Sequence, residues 1–319
     1  VRALIVAGVA HGRIAKQSGV KLKALVNWLE EGEQGNGAVQ SRIAAWLADQ
    51  DNAARQVDVP GLVNTPTSAK IEAAFEYARS RQKMAIVCGG AGCGKTSTAQ
   101  RYMEPRKLGR GSHETRLNVF KYTFPQEDDG KRGVFYVEPT AFERTRTAIV
   151  TLLADALNVD TLTFSNRTDT LARRIRDYLR PGDLLIIDES QHLEIDALDG
   201  VRSFHDRCGV GLVFMGNETV YHSMTKRTRR AEFAQLYSRV GYVVHVPAPD
   251  ESDVDAVLES WGARGRRERD FAQQLATGPG GLRSLANMLE HATLLAGVTK
   301  RPLDVELMQC ALETMPQGQ

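Results

Sequence analysis

The chain has 319 residues, 42% hydrophobic and 25% charged, with a formal net charge of +2. This is ordinary globular composition, long enough for two domains or for one core with appendages. No apolar run approaches the ~18 residues of a membrane span, no internal repeat or low-complexity tract occurs, and the first residues lack a signal peptide's long apolar region. Cysteines at 88, 93, 208 and 310 show neither metal-ligand nor disulfide-framework spacing. Reduced thiols and a soluble, cytoplasmic protein without a membrane partner are expected.

Residues 1–29 hold Arg2, Arg13, Lys16, Lys21 and Lys23 and no acid, a local excess that suits a polyanion partner or a solvated face. From His11 to Leu29 the pattern is that of two short helices about a tight turn. Ala15 is small where helices cross closely, and Gly19 stands where the turn needs positive φ. Ile14, Val20, Leu25 and Trp28 form the apolar face, while Lys21, Lys23 and Asn27 lie on the polar face of the second helix, able to reach phosphates or base edges. The stretch resembles a helix-turn-helix of the phage-repressor type; a helical bundle used for protein contacts is the alternative. A further helix is expected over 38–48, closing a small domain over 1–50, followed by a linker over 51–66 with Pro60, Gly61 and Pro66.

From Thr67 the character changes. A helix with Ile71, Ala74, Phe75 and Ala78 on one stripe leads into a strand at Met84–Cys88. Then come Gly89, Gly90, Ala91, Gly92, Cys93, Gly94, Lys95 and Thr96, at the spacing of a phosphate-binding loop. Glycines let such a backbone take φ values that a β-carbon resists and lie against phosphate oxygens. The N–H groups of the next helix, expected from Lys95 to Tyr102, face the β- and γ-phosphates, Lys95 adds a mobile positive charge, and the Thr96 hydroxyl is a Mg²⁺ ligand. The alternative is a glycine-rich turn before an ordinary helix.

Residues 104–132 read as a surface excursion. A strand over Val134–Val137 follows, then a helix from the capping-box spacing Thr140 to Glu143 as far as about Leu157. A basic helix over 169–179 stops at Pro181-Gly182. Leu184-Leu185-Ile186-Ile187-Asp188-Glu189 describes a strand buried on both faces whose C-terminal tip carries two carboxylates. In an open α/β sheet that edge binds ligands. Asp188 is placed to hold Mg²⁺ and Glu189 to polarise an attacking water. Leu212–Gly216 is another strand, with Asn217 at its tip aimed at a γ-phosphate or simply forming a turn. A basic cluster, Lys226, Arg227, Arg229 and Arg230, precedes a helix over 231–237 and a strand over Tyr242–Val246. From Asp250 the pattern is helical throughout: 250–260, 268–275, 282–296 and 303–314. Arg283 sits in the first turn of the third of these, where a cation opposes the helix dipole unless an anion answers it.

In order, Gly89–Thr96, Asp188-Glu189, Asn217, Ser238-Arg239 and Gly281-Leu282-Arg283 resemble the Walker A, Walker B, sensor 1, arginine-finger and sensor 2 motifs of AAA+ ATPases. Within that superfamily, Ile187 to Leu193, Gly216 to Tyr221 and Arg230 to Arg239 resemble the transposition ATPases. The resemblance implies an α/β fold: a AAA+ P-loop core over 67–247, a C-terminal helical lid over 248–319 and the small all-α N-terminal helix-turn-helix domain. It implies ATP and Mg²⁺ as cofactors, with Ser97 and Arg283 joining the loop in binding ATP and Arg239 completing a neighbour's site in trans. It also implies that the partners are sequence-non-specific duplex DNA, a transposase and further copies of the same chain in an ATP-dependent helical oligomer. DNA contacts are expected from Lys21, Lys23, Asn27 and the 226–230 cluster. Three readings compete: a P-loop kinase or transferase, which needs neither Glu189 nor Arg239; a helicase loader, which shares every ATPase residue; and an ATP-sensing regulator that reads an operator.

Overall fold

The computed structural model describes residues 11–30, 37–54, 60–106, 132–159, 168–220 and 237–315. Most of the 104–132 excursion, the helix expected from 231, and Lys226, Arg227, Arg229 and Arg230 lie outside them. Two compact units are present: Asn64–Pro249, and the described residues up to Val63 together with those from Asp250 onward.

In the first unit, α4 (Pro66–Arg81) starts at a capping box, in which Thr65 accepts from the Ser68 N–H and Ser68 answers the Thr65 N–H. Its stripe of Ile71, Ala74, Phe75 and Ala78 is fully buried. Five strands follow: β1 (Met84–Gly89), β2 (Val134–Val137), β3 (Leu184–Ile187), β4 (Gly211–Gly216) and β5 (Val240–Val246). They form one parallel sheet in the order β2-β3-β4-β1-β5. β1, β3 and β4 are buried at every position, because helices cover both faces. On one face lie α4 and α5 (Lys95–Met103); on the other α6 (Arg146–Ala156), α7 (Thr168–Tyr178) and α8 (Ile195–Cys208) build the larger cluster around Leu153, Ile175, Tyr178 and Phe204. Asp183, fully buried just before β3, is satisfied by the N–H groups of Gly133 at 2.7 Å and Arg180 at 2.9 Å.

The helix expected from Thr140 begins instead at Arg146. Glu143 does reach back to the Thr140 N–H at 2.9 Å, half of the anticipated box, but this closes only a turn. Thr145, in an extended conformation, accepts from the Ala148 N–H and is the true cap. A second threonine five residues downstream wins because the apolar stripe Ile149, Val150 and Leu153 starts after it.

In the second unit, α1 (His11–Ser18) and α2 (Leu22–Glu30) meet about Gly19, whose φ of 65° only glycine takes easily. Arg42 in α3 (Gly37–Ala54) donates to the Gly19 carbonyl at 2.9 Å, and Ile14, Leu25, Trp28, Ile43 and Trp46 form the common core. α3 continues six residues beyond the expected end, since Asp51–Ala54 contain no Gly or Pro to stop it. α9 (Glu251–Ser260), α10 (Arg266–Ala276), α11 (Gly281–Thr299) and α12 (Val305–Thr314) pack about Val254, Leu285, Met288, Leu289 and Met308. Leu295 and Val298 of α11 pack against the N-terminal core, which joins the two ends of the chain in this unit.

A β-carbon on Gly211 would fall 2.5 Å from the Ala78 carbonyl oxygen and 2.8 Å from the Arg79 nitrogen. Gly211→Ala is therefore expected to lower stability in urea unfolding by about 1–3 kcal/mol. A gain of about 0.4–1 kcal/mol, which a less flexible unfolded chain alone would bring, would contradict this close packing of α4 on β4.

Candidate nucleotide-binding site

The loop after β1 occupies the C-terminal edge of the central part of the sheet. Gly92 and Gly94 have φ of 75° and 86°, the left-handed region that makes glycine necessary there. At Gly89 the reason is space: a β-carbon would lie 2.5 Å from the Val246 carbonyl oxygen of β5. Lys95 opens α5 and is only 8% exposed. Its ammonium donates to the carbonyls of Gly89 at 2.9 Å and Gly90 at 2.7 Å and lies 3.5 Å from Cys93 Sγ. Among the described residues no carboxylate pairs with it. A nearly buried cation whose partners are two carbonyls and a thiol, all uncharged, fits an anionic ligand in the loop.

Asp188, at the tip of β3, has no exposed surface. Its Oδ2 accepts from Thr96 Oγ1 at 2.7 Å and lies 3.0 Å from the Tyr136 hydroxyl, while Oδ1 accepts from the Glu189 N–H at 2.8 Å. Thr96 and Asp188 thus bring two oxygen donors together from the loop and from β3, a donor set of the kind that Mg²⁺ takes. Tyr136, on β2, also reaches Glu138 at 3.0 Å. Burial, then the charge and hydrogen bond of Asp188, then Glu138, push its phenol well above the ordinary tyrosine range.

Glu189 has a left-handed φ of 45°, uncommon for a residue with a side chain, which turns the chain sharply off β3. Gln191 donates to its carboxylate through Nε2 and accepts from the Asn217 N–H through Oε1 at 3.3 Å. Ser190 is buried and donates within reach of Ile187 and Met215 carbonyls at 2.6 and 3.0 Å, locking the exit of β3 to β4. The Asn217 carboxamide oxygen accepts from the Thr219 N–H at 2.9 Å, the turn that was the alternative reading of this residue. Arg239, just before β5, pairs with Asp206 of α8 at 2.8 Å, and Arg202 bonds the same carboxylate. Ala91 and Ser97 are exposed at the loop and on the first turn of α5.

Arg283 is exposed in the first turn of α11, after Gly280 and Gly281 with φ of 87° and 54°; it belongs to the other compact unit. Lys21, Lys23 and Asn27 are all exposed on or beside α2. Tyr136 and Gln191 were not singled out from the sequence as site residues. The signal for Tyr136 is a hydroxyl one residue before the end of a strand beside β3; for Gln191 it is an amide two residues past Glu189.

The raised Tyr136 ionisation has a fixed sign. The neutral phenol is the form the fold favours, so its contribution is complete below the unfolded value of about 10 and is lost as pH rises above it. In an alkaline titration followed by phenolate absorbance, Tyr136→Phe is expected to remove one late-ionising phenol. An unchanged late fraction would contradict the Asp188 contact.

Comparison with known proteins yields two family models: an AAA domain over residues 78–224 and the C-terminal domain of the Mu B transposition protein over residues 238–315. The chain is 29% identical to the ATP-dependent target DNA activator B of Escherichia phage Mu over 289 residues, covering 90% of this chain and 83% of that protein. It is 29% identical to the Mu-like prophage FluMu DNA transposition protein B of Haemophilus influenzae, covering 86% and 87% of the two chains. Among solved structures, the Thermotoga maritima RuvB Holliday junction branch migration motor aligns with a TM-score of 0.44 and 12% identity, over 77% of this chain and 67% of that one. With an AAA domain matched over the loop and the Asp188 strand, and the C-terminal domain of the Mu B transposition protein matched over the final helices, the chain is similar to the Mu B transposition proteins across both of its matched regions.

Proposed function

We propose that this protein binds ATP and Mg²⁺, assembles on duplex DNA with little sequence preference, presents that DNA to a transposase and stimulates transposition, and that hydrolysis releases the DNA. The observation that carries the catalytic part is the contact of Thr96 Oγ1 with the buried Asp188 carboxylate at 2.7 Å, beside a glycine loop with a nearly buried lysine. Kinship with proteins named for ATP-dependent target DNA activation and for DNA transposition supports the biological part.

Backbone N–H groups of Gly90, Ala91, Gly92, Cys93 and Gly94 line the phosphates, with Gly89 allowing the loop to lie close to β5. Lys95 exchanges its carbonyl partners for phosphate oxygens, a stronger charge-assisted bond. Thr96 and Asp188 are the residues that hold Mg²⁺, which when bound neutralises charge on the β- and γ-phosphates. Glu189 accepts a proton from the attacking water; Gln191 orients its carboxylate and ties it to the Asn217 backbone. Asn217 contacts the γ-phosphate side, and Ser97 the nucleotide further along the first turn of α5.

Arg239 acts in trans, stabilising charge on a neighbour's transferring phosphoryl group. Its pairing with Asp206 holds the guanidinium near the protein surface until that neighbour supplies phosphate oxygens. A head-to-tail interface of this kind repeats into a helical filament. DNA affinity comes from phosphate neutralisation by Lys21, Lys23, Lys226, Arg227, Arg229 and Arg230, with Asn27 adding a polar contact.

Binding to a random-sequence duplex, with ATP, with ADP and without nucleotide, alongside sizing of the complex, tests this reading. ATP-dependent coating is expected, weakened by roughly 10–100-fold in Lys95→Ala, where a charge-assisted contact is lost, and prolonged in Glu189→Gln. Nucleotide-independent binding to one defined site would overturn it and leave a regulator.

A further inference from the structure

Parallel pairing places Cys88 of β1 between Gly216 of β4 on one side and His245 of β5 on the other. Residues paired across neighbouring strands share a face, and so does a residue two positions along. Cys88, His245 and the chain just past Gly216 therefore converge on the same side of the sheet edge. Glu218, two residues after Gly216, completes the group. Cys88 Sγ lies 3.4 Å from His245 Nδ1, and that nitrogen lies 3.3 Å from Glu218 Oε2. All three atoms fall within 4.8 Å of one another.

We propose that Cys88, Glu218 and His245 form a binding site for one zinc-class divalent cation. The donors are a sulfur, a nitrogen and a carboxylate oxygen, the mixture that Zn²⁺ accepts and that Mg²⁺ and Ca²⁺ do not. Around a zinc ion with bonds of about 2.0–2.3 Å, tetrahedral donors stand roughly 3.3–3.7 Å apart, the spacing the two measured pairs already have. Charge also balances: a thiolate and a carboxylate neutralise a dication, leaving the imidazole neutral. His245 and Glu218 are about half exposed, at 51% and 45%, so the cation can enter from solvent and the fourth position can take water. Cys88 is buried and supplies the anchoring ligand.

Without a cation the same cluster holds its proton on sulfur. Burial, followed by the charge and hydrogen bond of Glu218, pushes the Cys88 thiol up to about 12. Binding releases that proton, so affinity rises with pH. The ligands lie one residue before the phosphate-loop candidate Gly89 and one residue after Asn217, so the cation clips β5 and the turn after β4 to the strand that feeds the loop. Sequence spacing could not reveal this site, because its three ligands come from β1, β5 and the segment after β4, and only one is a cysteine.

Titration of the full-length protein with Co²⁺ tests the site through the thiolate-to-cobalt charge-transfer band, with no reference to ATP hydrolysis. One equivalent of Co²⁺ is expected to produce the band, and Zn²⁺ to bleach it. Cys88→Ser abolishes the band, while His245→Gln and Glu218→Gln each weaken binding by at least about 10–100-fold. Cys93→Ser, which alters the other thiol near the loop, keeps the band. Should Cys88→Ser fail to fold, the two polar variants read the same site. Absence of a band in the wild-type protein, its loss in Cys93→Ser, or unchanged binding in both His245→Gln and Glu218→Gln would overturn the proposal.

Discussion

Asp188 carries a carboxylate with no exposed surface at the tip of β3, and a buried carboxylate must be hydrogen-bonded or neutralised. Its oxygens are met by Thr96 from the phosphate-loop helix, Tyr136 from β2 and the Glu189 N–H from its own strand exit. One charge thereby fixes the relative positions of three segments that are far apart in sequence. β4 stands between β3 and β1, so the Thr96 contact spans an intervening strand at the sheet edge. Displacing the loop helix would remove one of the two hydroxyls that answer Oδ2, a hydrogen bond to a charged group with a net value of about 1.5–3 kcal/mol.

The core of this arrangement is legible in the sequence. Five apolar residues ahead of a glycine loop, and four ahead of Asp188-Glu189, mark β1 and β3 because parallel strands buried on both faces need continuous apolar runs. The helices after Asp250 also follow their periodicity, with ends shifted by a few residues. Local signals failed where two candidates competed. Thr140 and Glu143 have the spacing of a capping box, but α6 starts at Arg146 because Thr145 lies nearer the stripe that must be buried. Tyr136 and Gln191 were missed as site residues for a different reason. Each acts on a residue already recognised, and only the pairing of β2 with β3 and the sharp turn at Glu189 bring them to it.

The remaining residues of the site are held in pairings that a ligand or a neighbour can exchange for better ones. Lys95 has carbonyl partners, Glu189 has the Gln191 amide and Arg239 has Asp206. Each is a polar group kept satisfied without nucleotide, so none carries the desolvation cost of a bare charge. The exposed cations on and just before α2 have no such restraint from the fold's core: Leu25 and Trp28 face inward while Lys21 and Lys23 face solvent. This division, with apolar residues fixing the helix and basic residues left outward, suits a contact with phosphates rather than a role in packing.

A double-mutant cycle across Thr96 and Asp188 probes the central contact most directly. Mg²⁺-dependent ATP binding is measured for wild type, Thr96→Ala, Asp188→Asn and the double variant. If the two oxygens hold one cation, both single changes weaken binding in the presence of Mg²⁺ and the double variant is little worse than the poorer single, a coupling of about 0.5–3 kcal/mol. Additive losses, or affinities that are the same with and without Mg²⁺, would contradict a shared metal site at the edge of β3.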